Sequence, residues 1–316
     1  MPLSLDPDVR AALEAIFGGS FNVPRMPVGD VVSRRAGINA AHAMVDAAPG
    51  VPGDVVTTDF STTASDGATL LLRWYVKEDS IPGPAVLFFH GSGMIASSVS
   101  LYDGTVSRFV SSSGVPFLSV EYRLAPEFPH PTPVEDGYAA LTWLAEHAGD
   151  LGVDPARIAV MGDSGGGNVA ASLALLARDR GGPALAKQIL LYPALDDRTI
   201  EPDPELDGLY TWSYDDNETI WRAFLGNAYG TDNVSAYAAP ARASDLAGLP
   251  PLYMEALELD ILRDEDLQYA RRCSLAGVPT ELHLHSGVVH AFETMAFNTD
   301  IARRIQADRI RYLRTI

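Results

Sequence analysis

The chain has 316 residues, 47% of them hydrophobic, enough to bury a large core and too many for a disordered polymer. Forty-one acidic against 23 basic residues give a formal charge of −18, which argues against nucleic acid or an anionic membrane surface as partner. Cys273 is the only cysteine, so no internal disulfide can form, and it reads as a small buried hydrophobe. Asp6, Asp8 and Glu14 spoil a secretory signal, and no run of about eighteen apolar residues offers a membrane span, so a soluble cytoplasmic protein is expected.

In chain order, Asp6-Pro7 ahead of Val9-Arg10-Ala11-Ala12-Leu13 places a cap and a first-turn proline at the start of one helix, and a second is predicted over 30–48. Eight strand-like runs follow, at 55–60, 69–76, 85–90, 115–122, 157–161, 187–192, 251–257 and 280–285. From the third onward they alternate with helical patterns near 98–112, 134–149, 168–180, 264–276 and 296–314. That alternation predicts an α/β fold built from right-handed crossovers around a mostly parallel sheet, with the first two strands as an antiparallel edge. Residues 196–243 break the rhythm, being acidic and aromatic (Tyr210, Trp212, Tyr214, Trp221, Phe224) and without a strand pattern. A stretch of that length inside a compact domain carries a function or structure of its own. It is expected to be a helical insertion that joins residues 1–50 as a cap over a core formed by 51–195 and 244–316.

Gly162-Asp163-Ser164-Gly165-Gly166 fits G-x-S-x-G, the sharp strand-to-helix turn that lifts a serine out of a sheet. Arg157-Ile158-Ala159-Val160-Met161 reads as the buried strand before it, and the Ala/Leu-rich 168–178 as the helix after. A serine hydroxyl is a weak nucleophile until a base takes its proton and an acid fixes that base in one tautomer. In this architecture acid and histidine follow the serine along the chain. His283 and His285 alternate with Leu282 and Leu284 within a strand and read as structural or exposed, whereas His290 falls in the loop after it and is the better base. The acid is the first carboxylate clear of the preceding strand, Glu258 or Asp260, with spacing favouring Asp260 modestly. Asp264 to Asp266 read as the start of the next helix. His90-Gly91-Ser92-Gly93 closes an apolar strand, where backbone N–H groups can face a developing oxyanion together with that of Gly165. His90 is expected to shape this loop rather than exchange protons.

Taken with Tyr122-Arg123-Leu124-Ala125-Pro126-Glu127, Asp260-Ile261-Leu262-Arg263-Asp264-Glu265 and Gly287-Val288-Val289-His290-Ala291-Phe292, these motifs resemble the hormone-sensitive lipase family of α/β-hydrolases, bacterial esterase family IV, over roughly 55–300. The resemblance implies an α/β-hydrolase fold with an eight-stranded sheet and a helical cap. It implies Ser164 as nucleophile, Asp260 as acid and His290 as base, with the amides of Ser92, Gly93 and Gly165 as oxyanion hole and His90 and Gly91 supporting the motif. The activity implied is that of a serine carboxylesterase acting on small short-acyl esters through an acyl-enzyme, with no cofactor or metal. An amidase or lactonase would use the same three residues, and gibberellin receptors bind a small molecule on this fold without hydrolysing it. As in some relatives, the last strand is expected to pair with its symmetry mate in a homodimer. Three residues depart from the family pattern: Ser92 replaces a glycine, Ile261 a proline, and Met94 an aromatic residue.

Overall fold

A computed structural model describes residues 3–17, 26–47 and 50–316. Residues 1–2, 18–25 and 48–49, including the expected end of the second helix at Ala48, lie outside the described residues. The N-terminal helices are α1 (Pro7–Phe17) and α2 (Val31–Ala47). β1 (Val55–Thr63) and β2 (Thr69–Lys77) form the antiparallel edge. Then follow β3 (Gly83–Phe89), α3 (Asp103–Ser113), β4 (Phe117–Val120), α4 (Thr132–Glu146), β5 (Val153–Asp163), α5 (Ser164–Arg180) and β6 (Lys187–Leu191). The chain continues with α6 (Tyr214–Leu225), β7 (Leu252–Leu259), α7 (Arg263–Leu275), β8 (Thr280–Val289), α8 (Phe292–Met295) and α9 (Asp300–Leu313).

The sheet has eight strands in the order β1-β2-β4-β3-β5-β6-β7-β8, and every pair from β4 to β8 is parallel. Strands covered by helices on both faces cannot alternate polar and apolar residues, which is why β3 reads Ala85-Val86-Leu87-Phe88-Phe89, all fully buried or within 1% of it. β5 therefore lies inside the sheet, and its carboxyl end opens where working groups collect in such folds.

Several boundaries differ from expectation. β3 stops at Phe89, leaving His90 in the loop. β4 is confined to Phe117–Val120, because Tyr122 leaves the sheet to donate from its hydroxyl to the His90 carbonyl at 2.7 Å. β7 and β8 run on to Leu259 and Val289 past an irregularity in their register, so Glu258 is part of the strand rather than beyond it. The C-terminal helix expected near 296–314 is α9, which begins only at Asp300, where the Thr299 side chain accepts from the Ala302 N–H; the short α8 precedes it. Residues 196–243 contain one α-helix, α6, begun by a reciprocal Ser213–Asp216 capping box. α6 is joined to α2 by Arg34, only 3% exposed, whose Nε donates to Asp216 at 2.6 Å. Among the described residues no helix is long and apolar enough to cross a membrane.

Candidate active site

Ser164 stands at the β5–α5 junction with φ 51°, a left-handed conformation forced by the abruptness of the turn. The flanking glycines are required by contact rather than by φ. A Cβ on Gly162 would lie 2.2 Å from the Gly166 carbonyl oxygen, and one on Gly166 would lie 2.1 Å from that of Phe89. Side chains there would push the serine out of the sheet end, so the motif's spacing is a steric necessity.

Asp260 follows β7 and His290 follows β8, one strand further out. His290 Nε2 lies 2.8 Å from Ser164 Oγ, and its Nδ1 lies 2.6 Å from Asp260 Oδ2. With Nδ1–H donating to the carboxylate, Nε2 is bare and faces the hydroxyl proton. Asp260 Oδ1 accepts the Leu262 N–H at 3.1 Å, which fixes the carboxylate's orientation. Glu258 is used differently: its Oε2 accepts the Gly287 N–H at 2.7 Å and steadies the end of β8. His283 pairs with Glu281 at 2.8 Å and stacks on His285.

The loop after β3 brings its backbone against the serine. A Cβ on Gly165 would sit 2.7 Å from both N and Cα of Gly93 and 2.8 Å from the Met94 N, so the first turn of α5 and the Gly93–Met94 segment touch directly. Ser92 and Gly93 take φ 82° and 63°, the left-handed region a glycine would occupy without strain. His90 stacks on Tyr122 at 4.5 Å with Nδ1 3.1 Å from the Gly91 carbonyl, and burial pushes its pKa down to about 4. A Cβ on Gly91 would strike the Asp163 carboxylate at 2.3 Å.

A family model described as alpha/beta hydrolase fold matches residues 86–294. The chain belongs to that family, in its hormone-sensitive lipase branch. It is 39% identical over 215 residues to Esterase LipI of Mycobacterium tuberculosis, covering 68% of this chain and 67% of that protein. It is 30% identical over 307 residues to Ethyl acetate hydrolase of Pseudomonas putida, covering 93% of each. Among solved structures, a Bacterial Heroin Esterase superposes with a TM-score of 0.89 at 34% identity, covering 99% of this chain and 98% of that one.

In this α/β-hydrolase, burial works against a charged His290, but Asp260, with Glu293 and Asp163 beyond it, outweighs burial and holds the imidazole pKa above its ordinary value near 6.5. Sequence reasoning passed over the support beneath this histidine. Tyr192 packs edge-on against its ring at 5.1 Å and donates to Glu293 at 2.6 Å, while buried Arg309 pairs with Glu293 and Glu255. A signal existed: Glu255 falls in the middle of the apolar run Leu252-Tyr253-Met254-Glu255-Ala256-Leu257, and a buried charge demands a partner. Thr211 donates to the His290 carbonyl at 2.9 Å and the Trp212 ring lies 5.9 Å from the imidazole, so residues 196–243 reach the base. Asp163, its carboxyl raised to about 6 by burial, accepts from the Tyr102 hydroxyl at 2.9 Å. Among the described residues no group of three or more His, Cys, Asp or Glu is placed to hold a metal ion.

Proposed function

We propose that this carboxylic ester hydrolase cleaves small, short-acyl esters through an acyl-Ser164 intermediate. The reading is carried by the hydrogen-bonded line from Ser164 Oγ through both nitrogens of His290 to Asp260. His290 Nε2 takes the hydroxyl proton as Oγ attacks the ester carbonyl carbon. Negative charge gathers on the carbonyl oxygen, where the N–H groups of Ser92, Gly93 and Gly165 receive it, reinforced by the N-terminus of α5. As the tetrahedral species collapses, the carbon–alkoxide bond breaks and His290 returns the proton to the departing alcohol. Water then attacks the acyl-serine with His290 again as base, releasing the acid and restoring Ser164. Asp260 holds Nδ1–H throughout and stabilises the transient imidazolium.

A cap formed by α2 and residues 196–243 accounts for the small substrate. Ile220 of α6 leaves so little room above Gly93 that a Cβ there would lie 2.6 Å from it. The relative named for ethyl acetate supports a short acyl group. With p-nitrophenyl esters of increasing acyl length, kcat/KM should peak at the short members and fall for long fatty chains; a value still rising at those lengths would refute the preference.

The assembly proposed is a two-fold dimer through β8, an edge strand whose Leu282 and Leu284 are 40% and 49% exposed. Light scattering should give twice the mass of the 33.8 kDa chain, and Leu284→Asp should return it to monomer. A wild-type monomer at high concentration would remove this assignment.

A further inference from the structure

One side of α2 carries Arg35, Asn39, His42 and Asp46, spaced by four, three and four residues, the repeat that lines a single helical face. All four grip the segment that runs from the oxyanion loop into α3. Arg35 Nε donates to the Ile95 carbonyl at 2.5 Å, and its Nη2 to that of Ala125 at 2.7 Å. Asn39 Oδ1 accepts the Ser97 N–H at 2.8 Å. His42 Nε2 is hydrogen-bonded to Ser92 Oγ at 3.1 Å, and its ring stacks on Tyr102 at 4.9 Å. Asp46 accepts the N–H groups of Gly104 and Thr105, each at 2.7 Å, in the first turn of α3, where no carbonyl within that helix can reach them.

The gripped segment has backbone that would not hold itself. Ser92, Met94 and Ser97 take φ 82°, 58° and 74°, with Gly93 at 63° between the first two. Left-handed backbone is unfavourable for any residue with a Cβ and persists only where its surroundings impose it. Two of the α2 contacts fall on these left-handed residues, at Ser92 Oγ and Ser97 N–H. From the other side, the Gly91 N–H donates to the Tyr102 hydroxyl at 3.2 Å, and that hydroxyl donates to Asp163 beside the nucleophile.

We propose that α2 is a brace for the oxyanion loop, with His42 and Asn39 as positioning residues that hold Ser92 to Ser97 in the conformation aiming the Ser92 and Gly93 amides at the reacting carbonyl. The proposal rests on Ser164 being the nucleophile. It gives the serine at 92 a use that a glycine could not serve, because its hydroxyl is one of the points by which α2 holds the loop. Burial keeps the His42 pKa near 4, so the ring is neutral at neutral pH and the contact does not depend on a titration there. α2 thus supports transition-state stabilisation as well as covering substrate.

The test is a double-mutant cycle. His42→Phe preserves a ring over Tyr102 and removes the hydrogen bond, and Ser92→Gly removes the handle. His42→Phe alone should lower kcat on p-nitrophenyl butyrate roughly tenfold with KM within about twofold, and weaken butaneboronic acid, a mimic of the tetrahedral intermediate, by a similar factor. His42→Gln, which restores a hydrogen-bonding group, should recover most of the loss. In the Ser92→Gly background, His42→Phe should change kcat by less than about twofold. Equal losses in both backgrounds, an effect on KM alone, or a lowered Tm with kcat intact would overturn the proposal. Boronate affinity is read without turnover, so failure of the brace is distinguishable from failure of the ester as substrate.

Discussion

Ser164→Ala is expected to lower kcat by on the order of 10⁶, to the level supplied by the oxyanion amides and binding alone, because members of such a triad act as a unit. Its hydroxyl is the group in line with His290 Nε2, at 2.8 Å, and removing it leaves the base with nothing to activate but water. The fold should survive: the side chain is 7% exposed and small, and alanine meets the same φ of 51° that serine already tolerates. The measurement is turnover of p-nitrophenyl butyrate by purified variant, with circular dichroism to verify folding and organophosphonate labelling followed by peptide mapping. Wild-type chain should carry the adduct on the peptide containing Ser164 and the variant should carry none. Activity within a hundredfold of wild type would place the nucleophile elsewhere.

Asp260→Asn should cost about 10⁴ in kcat, and the reason lies in the carboxylate's second contact. Oδ1 accepts the Leu262 N–H at 3.1 Å, and Oδ2 faces His290 Nδ1 at 2.6 Å. An asparagine keeps its oxygen toward the Leu262 N–H, since the opposite orientation would set two donors against each other. Its amide nitrogen then faces Nδ1, which must become an acceptor and move the imidazole proton to Nε2. In that tautomer the ring cannot accept from Ser164. The pH profile carries a second readout. The proposed mechanism needs neutral His290, and Asp260, Glu293 and Asp163 together hold its pKa above the ordinary value despite burial. The acid limb of wild-type kcat/KM should therefore lie above pH 6.5, with activity falling as pH drops through it. Removing the facing negative charge lowers that pKa, so the variant's residual activity should show its acid limb at lower pH. A variant that loses activity with its acid limb unmoved or raised would show that Asp260 does not face the imidazole charge.

Much of the candidate site was legible because its signals are local. Gly162 and Gly166 flank the serine at a spacing that only a sharp turn needs, and His290 sits just beyond a strand whose alternation sets His283 and His285 aside. The choice between Glu258 and Asp260 was not local. The two are separated by one residue, and what divides them is that β7 continues through Leu259, so that Glu258 is held against Gly287 while Asp260 lies beyond the strand end. Nothing in a single segment reports where pairing with a distant strand will stop. The buried group of Glu255, Glu293 and Arg309 shows the same limit: a charge in an apolar strand announces that a partner exists without saying which.

Periodicity, turn residues and glycine spacing, all properties of neighbours along the chain, were enough to establish an alternating α/β chain, a mostly parallel sheet and the candidate serine and histidine. Only the folded molecule decided which carboxylate meets His290, what lies beneath that ring, and that Ser92 is held by His42 from a helix fifty residues earlier. Those meetings depend on strand order, on strand length and on the packing of α2 against the loop after β3. Each is set by burial of the whole core, which no short window of sequence contains.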